Sequence, residues 1–205
     1  MVQPAPQPSP EDDLAFIRRL MEGARAAEVD HSGHLILWGF LQAAAAGLAY
    51  LVHQGAFHFS ITAIWAVAVG IGFTGSWLLA LRSRRSAPVN SLVNRVLAAI
   101  WVGCGLSLSL VGFLGAGTGS MTSPITSGAK SVIIGCAFFA SAPLFNRTAY
   151  WALAGAWWIL GGALLVRPSL GSNLVFVFAP ILFMLVPGLV LRARRRPSPR
   201  LHAVS

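Results

Sequence analysis

Residues 125–145, ITSGAKSVIIGCAFFASAPLF, decide how many times this chain crosses a membrane. The run is long enough for the roughly 20 residues that a helical crossing needs. It is also the weakest apolar run in the chain. Lys130 sits in its first turns, and Ser127, Ser131 and Ser141 dilute it. With it the chain has six spans and both ends on one side. Without it there are five, and the ends lie on opposite sides.

The distribution of positive charge favours six. The other spans read as 35–52, 57–81, 96–115, 148–166 and 174–191. With six spans, and the N-terminus placed in the cytoplasm, all of the 15 basic residues except Lys130 and Arg167 fall on the inside. An Arg/Lys excess of that size orients membrane spans, with both termini cytoplasmic. The expected fold is therefore all-α: a polytopic membrane protein, a bundle of six transmembrane helices over 34–192 with a short N-terminal amphipathic helix over 9–30. A disordered leader over 1–8 and a basic cytoplasmic tail over 193–205 flank them. The composition agrees: 56% hydrophobic, 10% charged and a mean hydropathy of +0.69. Soluble domains carry about 25% charged residues, so lipid has to be the main solvent of this chain. The net charge of +9 is no sign of nucleic acid, because the basic residues flank apolar runs. The arginines of 192–200 form a collar for anionic lipid headgroups.

Every acidic residue lies between Glu11 and Asp30. Ser9, Pro10, Glu11 and Asp12 make a helix-start signal of cap, N-terminal proline and first-turn acids. Leu14, Ile17, Leu20 and Met21 then repeat at helical spacing and form an apolar stripe. That stripe suits a helix resting on the membrane surface or on the bundle. The sharper expectation makes these four residues a docking face for a partner protein. No secretory signal is expected, since no apolar core precedes residue 34.

The bundle itself is poor in chemistry. With no carboxylate after Asp30, a carboxylate dyad or carboxylate metal site inside it is excluded. The serines at 107, 109, 127, 131 and 141 have no visible base to activate them, and bonding to helix carbonyls accounts for them. Gly70, Gly72 and Gly75 spell G-x-G-x-x-G, but inside a long apolar run, with no strand before and no acid after. They read as close helix approach, not as a nucleotide loop. Gly103 and Gly105, Gly112 and Gly115, and Gly161 and Gly162 read the same way, for a tight bundle or a homo-oligomer. His53 and His58 lie near one surface and would be the pair for a haem; His31 and His34 have ligand-like spacing on their own. Interfacial capping explains them more simply. Cys104 and Cys136 fall mid-span in neighbouring helices and read as buried apolar residues. Lys130, the one lysine, is expected to snorkel to the outer boundary; facing a cavity instead, it would bind an anion, with Arg167 at the same pore mouth. Pro180 and Pro187 are expected to kink the last span. Trp38, Trp77 and Trp151 read as interface anchors and Trp65, Trp101, Trp157 and Trp158 as packing.

Ile17-Arg18-Arg19-Leu20-Met21-Glu22 ahead of Leu35-Ile36-Leu37-Trp38-Gly39, with Ala156-Trp157-Trp158 and Leu185-Val186-Pro187-Gly188, resembles a group of uncharacterised six-span bacterial integral membrane proteins. The resemblance implies a bacterial cytoplasmic membrane and carries no activity or site residues. The expected function is a non-enzymatic accessory or regulatory membrane subunit, with no catalytic residues, cofactor or metal. The alternatives are a transporter or channel for a neutral or anionic small molecule, and a haem or redox membrane protein.

Overall fold

The computed structural model describes residues 10–86, 92–118, 124–167 and 172–193. The 1–8 leader, the Ser9 cap and the arginines beyond Ala193 lie outside the described residues. Among the described residues the chain is all-helical: α1 (Pro10–His53), α2 (Ile61–Ser86), α3 (Leu92–Gly117), α4 (Pro124–Phe145), α5 (Thr148–Val166), α6 (Ser172–Pro180) and α7 (Val186–Ala193), the last two joined by a π-helical turn (Ile181–Leu185). Six segments of the described residues are long and apolar enough to cross a membrane: His31–His53, Ile61–Arg82, Val93–Gly115, Ile125–Phe145, Thr148–Val166 and Leu174–Ala193. They run alternately up and down. One end of the bundle, here the terminal end, holds His31, Arg82, Arg95, Arg147 and Ala193; the far end holds His53, Ile61, Gly115, Ile125 and Val166.

The expected N-terminal helix runs on into the first span without a break. α1 is one helix of 44 residues, about 66 Å long at 1.5 Å per residue, against a hydrocarbon core of about 30 Å. The boundary expected near residue 30 marks a change of composition only. No proline breaks the backbone ladder there, and Gly33 alone does not stop a helix. The stretch over 10–30 therefore continues the first span at the terminal end, where Glu28 is still buried against the bundle.

α1 is the central post, touching α2, α3, α4, α6 and α7. α4 and α5 form the most extensive pair. Their backbones meet at Gly128 and Gly161: a Cβ on Gly128 would stand 3.1 Å from the Gly161 carbonyl oxygen, and one on Gly161 would stand 3.0 Å from that of Gly128. Lipid offers no hydrophobic drive between helices, so such close van der Waals approach is what holds them. Between α5 and the last span, Trp157 is wholly buried, edge-on to Phe183 at 5.6 Å. The core continues through Leu35, Ile134, Phe138, Tyr150 and Met184.

The last span shows what its two prolines require. Each lacks the N–H that an α-helix would spend on the carbonyl four residues back. Between them the helix widens, and the Val186 N–H donates to the carbonyl of Ile181, five residues back. Such a π turn relieves the ladder without breaking the helix. α1 packs directly on this region. A Cβ on Gly39 would stand 2.6 Å from the Leu185 backbone nitrogen, and one on Gly188 would stand 3.0 Å from the Ile36 nitrogen and the Ser32 oxygen.

Of the G-x-G-x-x-G glycines, Gly72 lies against the Trp38 indole and Gly75 against Leu37, while Gly70 faces open space. Two of the three serve the α1–α2 contact. Gly103 and Gly162 likewise meet no neighbour, so the small residues do not all mark helix contacts. The serines bond as expected: Ser107, Ser109, Ser131 and Ser141 each donate to the carbonyl four residues back.

Candidate functional site

α2 packs on α1, α3 packs on α4, and α2 and α3 barely touch each other. The gap between them is a cleft of about 440 Å³, floored by residues of α1, α4, α6 and the π turn. Its walls are mostly apolar and aromatic: Trp38, Trp65, Phe73, Trp77, Trp101, Phe113 and Phe176 all line it. It runs along much of the bundle. Arg95 lines it near the terminal end and Gly112 near the far end, 17 residues apart on α3, which is about 26 Å of helix.

Polar groups lie at both ends of the cleft. Toward the terminal end, the Trp38 indole N–H donates to Ser76 Oγ at 3.0 Å, and His34 Nδ1 shares that hydroxyl at 3.3 Å. Asn94 and Arg95 complete this end. Midway, the Trp101 indole donates to Ser141 Oγ at 3.1 Å, and the Cys104 thiol approaches the Ile133 carbonyl at 4.0 Å. At the far end stands Lys130. It is 8% exposed, and its Nζ lies 5.1 Å from the centroid of the Trp65 ring, a cation–π geometry. The expected snorkelling to water does not occur. α4 is the most buried span, and the side chain of residue 130 emerges on a face turned toward α2 and α3.

A second cluster sits beside the terminal end. His31 is 3% exposed, with its ring among Trp101 (4.9 Å), Phe145 (5.8 Å) and Tyr150 (6.1 Å). Among the described residues, neither His31 Nε2 nor Tyr150 Oη has a hydrogen-bond partner. One turn earlier, Glu28 pairs with Arg147 on the α4–α5 connection: Nη2 donates to Oε2 at 3.4 Å, and Nε lies 3.3 Å from Oε1 in an electrostatic contact without hydrogen-bond geometry. This pair ties α1 to the turn between the two most tightly packed helices. Glu28 is nearly buried while the Arg147 side chain is 54% exposed. Arg147→Met is expected to lower stability by about 1–2 kcal/mol, well below the figure for a fully buried pair because one partner is solvated. Thermal unfolding in mild detergent measures it, and Glu28→Gln in the same background should restore part of the loss.

The other residues singled out by sequence are dispersed. Arg167 follows the end of α5, exposed, and is not among the residues lining the cleft with Lys130. Leu14 and Ile17 are 60% and 50% exposed on the α1 extension; the side chains of Leu20 and Met21 are outside the described ones. His53 and His58 are both exposed at the far end, while His31 and His34 both line the cleft. Cys104 is buried on the cleft and Cys136 is exposed; both are free thiols. Among the described residues no group of three or more His, Cys, Asp or Glu side chains converges. Sequence reasoning missed the cleft itself and the shared role of Ser76, because neither follows from periodicity within one helix. Comparison of the chain with models of known families, with curated proteins and with solved structures finds no match to any of them.

Proposed function

We propose that this is a non-enzymatic membrane protein that takes a small apolar or amphipathic molecule into the cleft between α2 and α3, either carrying it or responding to it as a regulatory subunit. The observation behind this reading is the cleft: about 440 Å³, inside the range of roughly 300–1,000 Å³ typical of ligand pockets, with the apolar walls and few polar groups such pockets have. Among the described residues no carboxylate lines it, which favours binding over acid–base chemistry. The arginine distribution supports a terminal end facing the cytoplasm, and the sequence resemblance a bacterial cytoplasmic membrane. The exposed Leu14 and Ile17 on the N-terminal part of α1 favour a second element of the reading, a docking contact through which a regulatory subunit would act.

The test uses the full chain purified in mild detergent. Ala98 lines the cleft, and Ala98→Phe should fill it without disturbing the core. Mass spectrometry of organic extracts is expected to show a compound retained by the wild type at near-stoichiometric level and reduced at least tenfold in the variant. Equal retention by both would remove the cleft from the account.

A further inference from the structure

We propose that the terminal half of the cleft holds one acyl chain of an anionic phospholipid, with its phosphate at Arg95 and the chain end against Phe73 and Gly105. This deepens the reading above and rests on it.

The Phe73 ring of α2 crosses the cleft to α3. A Cβ on Gly105 would stand 3.2 Å from its Cζ. Trp38 of α1 stands edge-on to the same ring at 5.6 Å, and its indole is fixed by the hydrogen bond to Ser76. These rings narrow the cleft midway and leave a terminal half walled by Trp38, Leu97, Ala98 and Trp101. Its depth matches one leaflet. Gly105 lies ten residues beyond Arg95 on α3, about 15 Å of helix. Half of a hydrocarbon core of about 30 Å is also about 15 Å.

The mouth of this slot lies at the headgroup boundary. Arg95 lines the cleft, is exposed, and sits in the first turn of the span Val93–Gly115. Arg82 closes the α2 span at the same end. Arginines at that level attract anionic headgroups. Trp77, 68% exposed, lines the same mouth, and an amphipathic ring suits that boundary.

α2 and α3 are the least buried spans, so the gap between them opens sideways to lipid. One chain can enter it while the other stays in the bilayer. A soluble anion would leave the aromatic wall bare, and a hydrocarbon without a head would gain nothing from Arg95.

The test is native mass spectrometry of the full chain in mild detergent, titrated with phosphatidylglycerol or phosphatidylcholine of matched chains. The wild type is expected to hold one phosphatidylglycerol about fivefold more tightly than phosphatidylcholine, the effect of one arginine near the membrane surface. Arg95→Gln should remove that preference and leave phosphatidylcholine unchanged; Arg95→Lys should keep it. Ala98→Phe should weaken both lipids by about tenfold, because the added ring overpacks the slot. Phosphatidylglycerol with a diazirine at its chain end should label Phe73 or Gly105 in the wild type and neither in Ala98→Phe. Equal wild-type affinity for the two lipids, or a preference that survives Arg95→Gln, overturns the anionic head and leaves the cleft reading standing where Ala98→Phe still weakens binding. Binding lost in Arg95→Gln but kept in Ala98→Phe, with label only on the exposed Leu106 and Leu110, puts the lipid outside the cleft and overturns the proposal. Absence of binding of either lipid by folded wild type also overturns it; the cleft reading falls with it only if organic extracts show no compound lost in Ala98→Phe.

Discussion

Gly39→Leu is expected to lower the stability of the detergent-solubilised protein by about 3 kcal/mol or more, at the upper end of overpacking costs. The reason is what lies opposite. A Cβ on Gly39 would meet the Leu185 backbone nitrogen at 2.6 Å and its Cα at 3.0 Å, and backbone atoms cannot rotate away as the end of a side chain can. Leu185 also closes the π turn, whose geometry the two flanking prolines already constrain. The strain can be relieved only by parting α1 from the last span, and α1 touches most of the bundle. Gly70→Leu is the matched control, since nothing stands within 4 Å of its Cβ position. That variant should be neutral or slightly stabilising, because leucine is the better helix former. Thermal unfolding of both beside the wild type checks the pair; equal losses would mean that close approach at Gly39 is not what holds α1 in place.

Phe138→Ala should cost about 2–3 kcal/mol. Phe138 is wholly buried, edge-on to Trp101 at 5.2 Å and 6.0 Å from Tyr150. In a water-soluble core such a truncation costs about 3–5 kcal/mol. Part of that is transfer of apolar surface from water, which a helix already in lipid does not regain. The cavity and the lost dispersion contacts remain. Because the removed ring borders Trp101, a wall of the cleft, the variant should also weaken ligand retention. Phe139→Ala, one position along and 45% exposed, should lose much less. Chemical unfolding in mixed micelles separates the two.

The spans were legible because lipid imposes a length and an apolarity that need no knowledge of neighbours. The expected 125–145 and 148–166 coincide with the observed segments. Residues 125–145 looked weakest for a reason the structure supplies. α4 is the most buried span, so its Ser127, Gly128, Ser131 and Ser141 face protein, not lipid. Low apolarity there reflects an inner position. What one sequence does not carry is rotation about the helix axis and the pairing of helices. Lys130, near the start of its helix, reads as a side chain that reaches water, yet the packing of α4 aims it inward. Gly70, Gly72 and Gly75 look equivalent in one motif, although only two face α1. The N-terminal stretch reads as a separate module because its composition differs, but a helix ends at a breaker, and residues 29–34 hold no proline.

The proposed ligand site requires the space between α2 and α3 to stay open in a lipid bilayer. The most direct test is an electron cryomicroscopy map of the full chain in lipid nanodiscs, with a bound antibody fragment to provide mass. The expected result is α2 and α3 held apart, with ligand density in the cleft along Trp38, Phe73 and Trp101. A map in which α2 packs against α3 along its length, with Lys130 extended to the headgroup region, would contradict it.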